Sequence, residues 1–407
     1  MGDFFQNSEV TTLHNFRKRS LENLEEELIE FNKRRPIGLI IPCLYTEIQR
    51  PAFVNILSIL KDVPYLSEVV IGLDGANEHE FKHALEIFSV LPQHHRVLWN
   101  DGPKMKHLEF RLNEENIHIG NSGKGKNLWN CFGYVIASRK VEAIAMHNAD
   151  IVTYQRDFLA RLVYPVCNPA FNYKLAKGFY FRADDSKMNG RMVRLLVSPL
   201  LETLKKFVGP VSYINYLQCF RYILSEELAM RADVLKNLRI QSDLGLDIGI
   251  LTEVIRNIPI NRICQVEIAD KYDHKHKSES FDNPEKGLSK MSFDISRTIY
   301  AKLASDGCIF SEGMFRSIKA TYQRVALEMV EQYCNDATMN GLEFDRYKEE
   351  RLVDQISKNV YQAGISYLNN PNHGSVMPEW KRVISALPDV LQEYYRMVEA
   401  DNGLTVD

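Results

Sequence analysis

The chain has 407 residues, of which 45% are hydrophobic and 25% charged, a composition typical of a globular protein and unlike that of disordered, collagenous or membrane-spanning chains. Its 50 Lys and Arg against 53 Asp and Glu give a formal net charge of −3. Nucleic acid is therefore not expected as the main partner, because binding a phosphate backbone needs a cationic excess. We expect small-molecule ligands and no membrane association. A single core fills efficiently only up to roughly 250 to 300 residues, so two domains are expected.

The cysteines and the N-terminus bear on the cellular compartment. The seven cysteines are odd in number and include no CxxC pair, which indicates reduced thiols and neither a disulfide framework nor a zinc ribbon. Residues 1–6 lack the basic-then-apolar order of a secretory signal, and the longest apolar runs are too short to cross a bilayer. We therefore predict a cytoplasmic protein.

The first half of the chain shows alternating helix and strand patterns. Apolar residues spaced mostly three to five apart predict an amphipathic helix from Thr12 to Phe31, within an N-terminal unit of residues 1–35. The continuous apolar run Ile37 to Ile41 predicts the first core strand. Further strands are predicted at 68–73, 96–99, 142–147 and 174–181, and helices at 52–60, 78–88 and 126–137. This alternation predicts right-handed crossovers and a mostly parallel sheet.

Helical patterns dominate the second half. Helices are predicted at 191–207, 225–235 and 246–256, and one more strand at 263–268. The polar run 270–290 predicts a loop and a connector. From Met314 onward, apolar residues stepping by three and four predict a long helix, and helical patterns continue to the end of the chain. We place an α/β domain at residues 36–291 and a helical C-terminal domain at 292–407.

Ligands of open parallel sheets bind at the carboxyl ends of the strands, so the loops after the strands are the candidate sites. Residues 42–47 follow the first strand and Asp74-Gly75 the second. Each segment alone is a weak signal, because an Asp-Gly after a strand is more often a turn than a ligand site. Residues 120–126, GNSGKGK, precede a helix. Small residues and a helix start suit an anion such as phosphate, with Lys124 or Lys126 neutralising it. The spacing of a P-loop is absent.

Two further segments could hold a metal ion. His147-Asn148-Ala149-Asp150 follows a predicted strand, and a carboxylate at Asp150 suits Mg²⁺ or Mn²⁺ because hard cations prefer oxygen ligands. An aspartate there is equally typical of a helix cap or a turn. The run 272–277 contains His274 and His276, which are consistent with a metal ligand or with a solvated basic loop.

Taken in chain order, these segments resemble the glucosyl-3-phosphoglycerate synthases, which are retaining glycosyltransferases with the GT-A fold. The resemblance covers roughly residues 36 to 300, and related mannosylglycerate synthases also carry a helical C-terminal extension. It implies an α/β fold with a GT-A type, Rossmann-like, mostly parallel sheet flanked by helices, a nucleotide-sugar part at about 36–185 and an acceptor part at about 186–291. Its most specific segments are Gly123-Lys124-Gly125 before Leu128-Trp129, Ser198 to Leu201, Gly245 to Gly249 and Gln265 to His274.

The resemblance implies transfer of glucose from a nucleotide-diphosphate glucose to the 2-hydroxyl of 3-phosphoglycerate, with retained configuration and a divalent metal, Mg²⁺ or Mn²⁺. It places metal ligands at Asp150 and His274, and catalytic carboxylates at Asp247 and Asp150. Asp247 is also consistent with a helix-start residue. The implied acceptor-binding residues are Gly190, Arg191, Val193 and His276. The implied donor-binding residues are Pro42, Leu44, Glu47, Asp74, Lys124, Asn148, Ala149, Leu224, Ser225 and Glu226.

Three positions depart from the family pattern. Asn148 replaces the first acidic residue of the metal motif, Val193 replaces a threonine near the acceptor, and Glu226 replaces a glycine near the donor sugar. They leave open a mannosyl donor, free glycerate as acceptor, mannosyl-3-phosphoglycerate synthesis, or a non-catalytic nucleotide-sugar binding protein. The base of the donor nucleotide also stays open. Because the family often forms dimers, a homodimer is expected.

Overall fold

The structure is a computed structural model that describes residues 6, 8–182, 186–273, 287–371 and 376–404. Its centre is an eight-stranded sheet in the order β1-β9-β6-β7-β5-β2-β3-β4, and a two-stranded sheet pairs β10 with β8. The strands in these residues are β1 Thr11–Leu13, β2 Ile37–Leu44, β3 Glu68–Asp74, β4 His95–Trp99, β5 Ala143–Met146, β6 Leu175–Tyr180, β7 Leu228–Arg231, β8 Ile240–Gln241, β9 Ile263–Ala269 and β10 Val376–Met377.

Helices connect the strands and form most of the C-terminal third. They are α1 Leu21–Asn32, α2 Pro51–Leu60, α3 Glu78–Phe88, α4 Pro103–Glu114, α5 Lys124–Ser138, α6 Arg156–Cys167, α7 Ser198–Val208, α8 Ser212–Gln218, α9 Ala232–Leu235, α10 Leu246–Asn257, α11 Gly287–Ser305, α12 Glu312–Met339, α13 Arg346–Asn369, α14 Trp380–Ala386 and α15 Val390–Asp401. A π-helical turn, Met192–Val197, leads directly into α7.

The central sheet is parallel except at β7, which runs antiparallel to both of its neighbours, β5 and β6. Alternate residues of the buried strands point to opposite faces. In β2, Ile40 belongs to one core cluster, whereas Leu39 and Ile41 belong to the other. Both faces are therefore covered by helices, as expected for parallel strands buried on two sides.

The C-terminal helices share a core with the sheet. The rings of Trp129 in α5 and Trp380 in α14 stack at 4.2 Å, and each indole donates to the backbone of the other segment, Trp380 Nε1 to Trp129 O at 3.0 Å and Trp129 Nε1 to Pro378 O at 2.8 Å. A Cβ at Gly133 would lie 2.0 Å from Trp380 Cζ2. The domain boundary at residue 292 stays a prediction, but these contacts tie residues on its two sides into one packed unit.

Replacing Trp380 by alanine is expected to lower the free energy of unfolding by about 3–5 kcal/mol, because the change leaves a cavity in place of the fully buried indole and removes its hydrogen bond to Trp129 O. Urea denaturation followed by circular dichroism measures the change. Val376→Ala, at a side chain that is 44% exposed, is the control. A decrease in the free energy of unfolding for Trp380→Ala as small as that for the control would contradict this account of the packing between α5 and α14.

Most of the predicted elements are confirmed to within a few residues, and three predictions are wrong. The helix predicted from Thr12 to Phe31 is instead strand β1, paired with β9, followed by the shorter α1. The helix predicted at 225–235 is strand β7 and the short α9. The first strand does not end before Pro42 but continues to Leu44. Proline is tolerated there because pairing with β5 ends at Ile40, so no partner needs its N–H.

Three helices of the described residues, α4, α6 and α8, and the two short strands β8 and β10 were not predicted. Among the described residues, no helix has the length and apolarity needed to cross a membrane.

Candidate active site

The segment after β2 is held by its own backbone and side chains. Pro42 is buried, whereas the side chain of Leu44 is 47% exposed. A carboxylate oxygen of Glu47 accepts a hydrogen bond from Leu44 N at 3.1 Å, which closes the short turn Tyr45–Glu47. Pro42, Leu44 and Glu47 therefore lie at the carboxyl edge of the sheet, where they were predicted, and Leu44 pairs in register with Asp74 of β3.

Asp74 ends β3 and carries a perturbed carboxyl group. Burial raises its pKa to about 6, against hydrogen bonds from Asn100 and Asn127 that favour the charged form. The Asn100 amide donates to Asp74 Oδ1 at 2.7 Å. A partly desolvated carboxylate is suited to accept hydrogen bonds from a ligand, because water competes weakly with it there.

The glycine-rich loop places Lys124 at the start of α5. Gly120 and Gly123 have backbone φ values of +67° and +153°, which residues other than glycine rarely adopt. Lys124 Nζ donates to Asn148 Oδ1 at 2.5 Å and to a carboxylate oxygen of Glu226. Three segments distant in sequence thus meet at one ammonium group. Lys126, the alternative cation, is buried and pairs with Glu109 at 2.6 Å.

Asp150 lies beyond the carboxyl end of β5, after the buried Ala149. The backbone of this loop is bound to the segment that follows β9: Val152 N donates to Asp273 O at 2.9 Å, and Asp273 N donates to Thr153 Oγ1 at 3.1 Å. Asp273 directly precedes His274 in the sequence. His274 and His276 themselves lie outside the described residues.

The donor chemistry of this place fits a hard cation. Asp150 offers carboxylate oxygens, which Mg²⁺ and Mn²⁺ prefer. No group of three or more His, Cys, Asp or Glu side chains that could hold a metal occurs in the described ranges. Of the two predicted ligands, Asp150 lies within the described residues and His274 lies outside them. The assignment of Asp150 and His274 as metal ligands stays a prediction.

Asp247 is a buried carboxyl group that interacts with the charge of a buried lysine. It lies in the first turn of α10, and burial raises its pKa to about 6, against the favourable charges of Lys177 and Lys124. Lys177 of β6 is 1% exposed, its pKa is lowered by burial to about 8, and its Nζ donates to Ser225 O at 2.5 Å. The positive charges of Lys124 and Lys177 therefore favour the ionised form of Asp247.

Glu227 anchors the aromatic wall of this region. It is fully buried and accepts hydrogen bonds from Tyr180 Oη at 2.7 Å and Tyr272 Oη at 2.6 Å. The rings of Tyr180 and Tyr272 stack at 3.8 Å, and Tyr222 packs on Tyr180 at 5.1 Å. The chain leading to His274 is thus fixed to the segment that carries Leu224, Ser225 and Glu226.

Among the predicted acceptor residues, Gly190 lies beside Tyr222 of this wall. Gly190 has φ +76°, and a Cβ there would lie 3.4 Å from the ring of Tyr222. Arg191 follows it, and its Nε donates to Glu349 Oε1 of α13 at 2.8 Å. Val193 is partly buried against the core within the π-helical turn. Such turns are frequent at functional sites.

Lys177, Glu227 and Glu349 were missed by sequence reasoning. A signal existed for Lys177, because a lysine interrupts the apolar run Leu175–Tyr180, and a charged residue in a buried strand needs a partner. Glu227 was hidden by the incorrect helix prediction at 225–235. Glu349 lies more than a hundred residues from its partners, so no local pattern indicated it.

The chain is similar to curated proteins over nearly its whole length. A glucosyl-3-phosphoglycerate synthase of Persephonella marina is 40% identical over 403 residues, covering 99% of this chain and 100% of the relative. The chain belongs to the glucosyl-3-phosphoglycerate synthase family. A second member, from Methanococcoides burtonii, is 38% identical over 98% of both chains. No family model matches the chain.

The fold of this family member also agrees with solved structures. A crystal structure of glucosyl-3-phosphoglycerate synthase from Mycobacterium tuberculosis, in complex with Mn²⁺, UDP-glucose and phosphoglyceric acid, has a TM-score of 0.51 and 19% identity, over 75% of this chain and 90% of that one. At this identity the likeness shows the fold alone. The predicted α/β architecture, a mostly parallel sheet flanked by helices, is confirmed.

Proposed function

We propose that this protein is a metal-dependent retaining glycosyltransferase that transfers glucose from a nucleotide-diphosphate glucose to the 2-hydroxyl of 3-phosphoglycerate. The observation that carries the proposal is the 40% identity over the full chain to a relative of that name. The product, glucosyl-3-phosphoglycerate, is a precursor of the compatible solute glucosylglycerate.

The donor is assigned to the carboxyl edge of β2, β3 and β5. Pro42, Leu44, Glu47 and Asp74 frame the nucleobase and ribose, and Lys124 faces the diphosphate. The assignment is supported by the contact of Lys124 with Asn148 and Glu226, because a lysine at a helix start is suited to an anionic group. Ala149, Leu224 and Ser225 complete the donor side.

Asp150 and His274 are the proposed ligands of Mg²⁺ or Mn²⁺. A divalent cation bound there supplies neutralisation of the negative charge on the diphosphate leaving group. Asp247 lies beside the Lys124 and Lys177 charges, where its carboxylate is suited to orient the donor sugar. Gly190, Arg191, Val193 and His276 are assigned to the acceptor, with Arg191 pairing with its phosphate or carboxylate. The departing diphosphate oxygen takes the proton of the acceptor hydroxyl, so no side-chain nucleophile is assigned.

A change of substrate is the alternative that a specific observation favours. Glu226 stands where the family has glycine, and Val193 where it has threonine. Initial rates with UDP-, GDP- and ADP-glucose, with GDP-mannose, and with 3-phosphoglycerate beside glycerate test both readings. The proposal predicts the highest kcat/KM with a glucosyl donor and 3-phosphoglycerate. A higher value with mannose or with free glycerate would replace it, and binding without any transfer would favour a non-catalytic protein.

Donor binding is expected to weaken in acid through Asp74. Its raised pKa of about 6 means that the carboxylate is charged above that pH and neutral below it. The dissociation constant of UDP-glucose is therefore expected to double near pH 6 and to rise about tenfold per pH unit below it. Isothermal titration calorimetry between pH 5 and 8 measures this, and the diphosphate diester of UDP-glucose does not titrate in that range.

Two variants test whether Asp74 is the group that causes the pH dependence of UDP-glucose binding. Asp74→Asn removes the titrating group, so it is expected to bind UDP-glucose more weakly at pH 7.5 but with a flattened pH profile. Glu78→Gln, at an exposed carboxylate paired with Lys82, is expected to keep the wild-type profile. An unchanged acid limb in Asp74→Asn would assign the pH dependence to another group.

Oligomeric state and cellular location are proposals as well. We propose a homodimer in the cytoplasm. Ile309 and Met339, beside and within the C-terminal helices, are 90% and 88% exposed, and the cysteines in the described residues are unpaired thiols, as expected for a reducing compartment. Light scattering of the purified protein distinguishes a dimer from a monomer.

A further inference from the structure

A buried carboxylate of the C-terminal helices, Glu349, contacts the predicted acceptor side of the site. It lies in the first turn of α13, and its side chain is 5% exposed. One of its oxygens accepts from Arg191 Nε at 2.8 Å, and the other accepts from Arg194 Nη1 at 2.8 Å. The buried Glu349 carboxylate thus pairs with two arginines of the π-helical turn region.

Arg194 extends this contact to the loop before Arg191. Its Nε donates to Asn189 O at 3.1 Å and its Nη2 to Met188 O at 3.2 Å. The guanidinium also lies 5.2 Å from the ring centroid of Tyr333 in α12 and 5.6 Å from that of Phe344. Arg194 is 6% exposed, because residues of the C-terminal helical region pack around it. Its hydrogen bonds to Met188 O and Asn189 O restrain the backbone directly before Gly190.

The contact with Glu349 restrains the orientation of the Arg191 guanidinium. Its side chain keeps 23% exposure, and its Nε is bound by Glu349. Because a guanidinium is planar, fixing Nε fixes the plane and the direction of its terminal Nη edge, which is the edge that pairs with carboxylate or phosphate oxygens. Losing that restraint returns side-chain and loop freedom that the acceptor must then remove on binding.

We propose that Glu349 is a positioning residue for the anionic acceptor, acting through Arg191 directly and through Arg194 and residues 188–190. This inference rests on the proposed function, in which Arg191 binds the phosphate or carboxylate of 3-phosphoglycerate. It assigns a role in acceptor recognition to helix α13, which lies outside the segments that carry the family resemblance.

The test is a split between the kinetic constants of the two substrates in the full-length enzyme. Glu349→Gln is expected to raise the KM for 3-phosphoglycerate on the order of tenfold, with the donor KM and kcat within about twofold of wild type. Glu349→Asp, which keeps the charge, is expected to recover part of the loss. The control is Glu350→Gln, because Glu350 is the adjacent glutamate and pairs with the exposed Arg346 at 2.7 Å.

The outcomes separate this inference from the proposed function. A lower kcat with an unchanged acceptor KM, or an equal effect of Glu350→Gln, would overturn it as mere structural damage. Calorimetric titration of each variant with 3-phosphoglycerate gives a readout without turnover. If wild type binds the acceptor but transfers no glucose, the proposed function fails, and the ratio of dissociation constants still decides the role of Glu349. If wild type does not bind 3-phosphoglycerate, the inference is overturned.

A second variant tests the proposal in case Glu349→Gln does not fold. Arg194→Lys keeps the positive charge but cannot contact Glu349, Asn189 and Met188 simultaneously. It is expected to raise the KM for 3-phosphoglycerate in the same direction, with the donor KM unchanged. An unchanged acceptor KM in that variant would contradict the proposal.

Discussion

Asp150→Ala is expected to lower kcat/KM by at least about a thousandfold while the protein keeps its fold. Asp150 is partly exposed beyond the end of β5, so removing its side chain leaves no cavity in the core. The loss follows from the proposed role of its carboxylate as an oxygen ligand of the divalent cation, since an alanine methyl group offers no lone pair.

Metal binding provides a readout that is independent of turnover. Titration of Mn²⁺ followed by electron paramagnetic resonance is expected to show bound ion in wild type and almost none in Asp150→Ala, with the nucleotide present in both. Asp157→Ala is the control, because Asp157 lies in the first turn of the adjacent α6. Wild-type affinity for Mn²⁺ in Asp150→Ala would show that the metal ligands lie elsewhere.

Asp247→Asn is expected to lower kcat about a hundredfold to a thousandfold with little change in nucleotide affinity. The side chain is 9% exposed, and burial raises its pKa to about 6, so near pH 7.5 it carries a negative charge in a poorly solvated place. Charge fixed there acts strongly on positive charge that develops at the donor sugar. An asparagine keeps the shape and removes the charge.

The sign of the pH effect follows from the same pKa. Protonation of Asp247 below about pH 6 removes the charge, so wild-type kcat is expected to fall on the acid side. Glu253→Gln is the control, because Glu253 lies on the same helix and its pKa is also raised by burial. Stopped assays at saturating substrates measure kcat in each variant. A near wild-type kcat in Asp247→Asn would remove Asp247 from the catalytic residues.

The alternation of strands and helices could be predicted well because its signal is local. The run Ile37 to Ile41 is apolar and branched, and β2 is buried on both faces, as such runs predict. Helix α4 had a readable signal in Met105, Leu108 and Leu112, which are buried at helical spacing. In contrast, β1 owes its conformation to pairing with β9, some 250 residues away, and no local pattern reveals such a pairing.

The candidate site could be predicted as a set of loops but not as a set of contacts. Lys124 was expected to face an anion, and the structure adds Asn148 and Glu226 as its protein partners. Arg191 was expected at the acceptor, but its restraint by Glu349 depends on the packing of α13 against the π-helical turn. Long-range ion pairs of this kind arise from tertiary packing, which sequence periodicity does not encode.

The central claim is the identity of the reaction, and the product tests it most directly. The purified protein is incubated with UDP-glucose, 3-phosphoglycerate and Mg²⁺ or Mn²⁺, and the product is examined by mass spectrometry and by the anomeric proton coupling in NMR. The account predicts a phosphorylated glucosyl-glycerate with the α configuration of the donor, which disappears with a chelator. A β-linked product, or formation that is unaffected by the chelator, would contradict it.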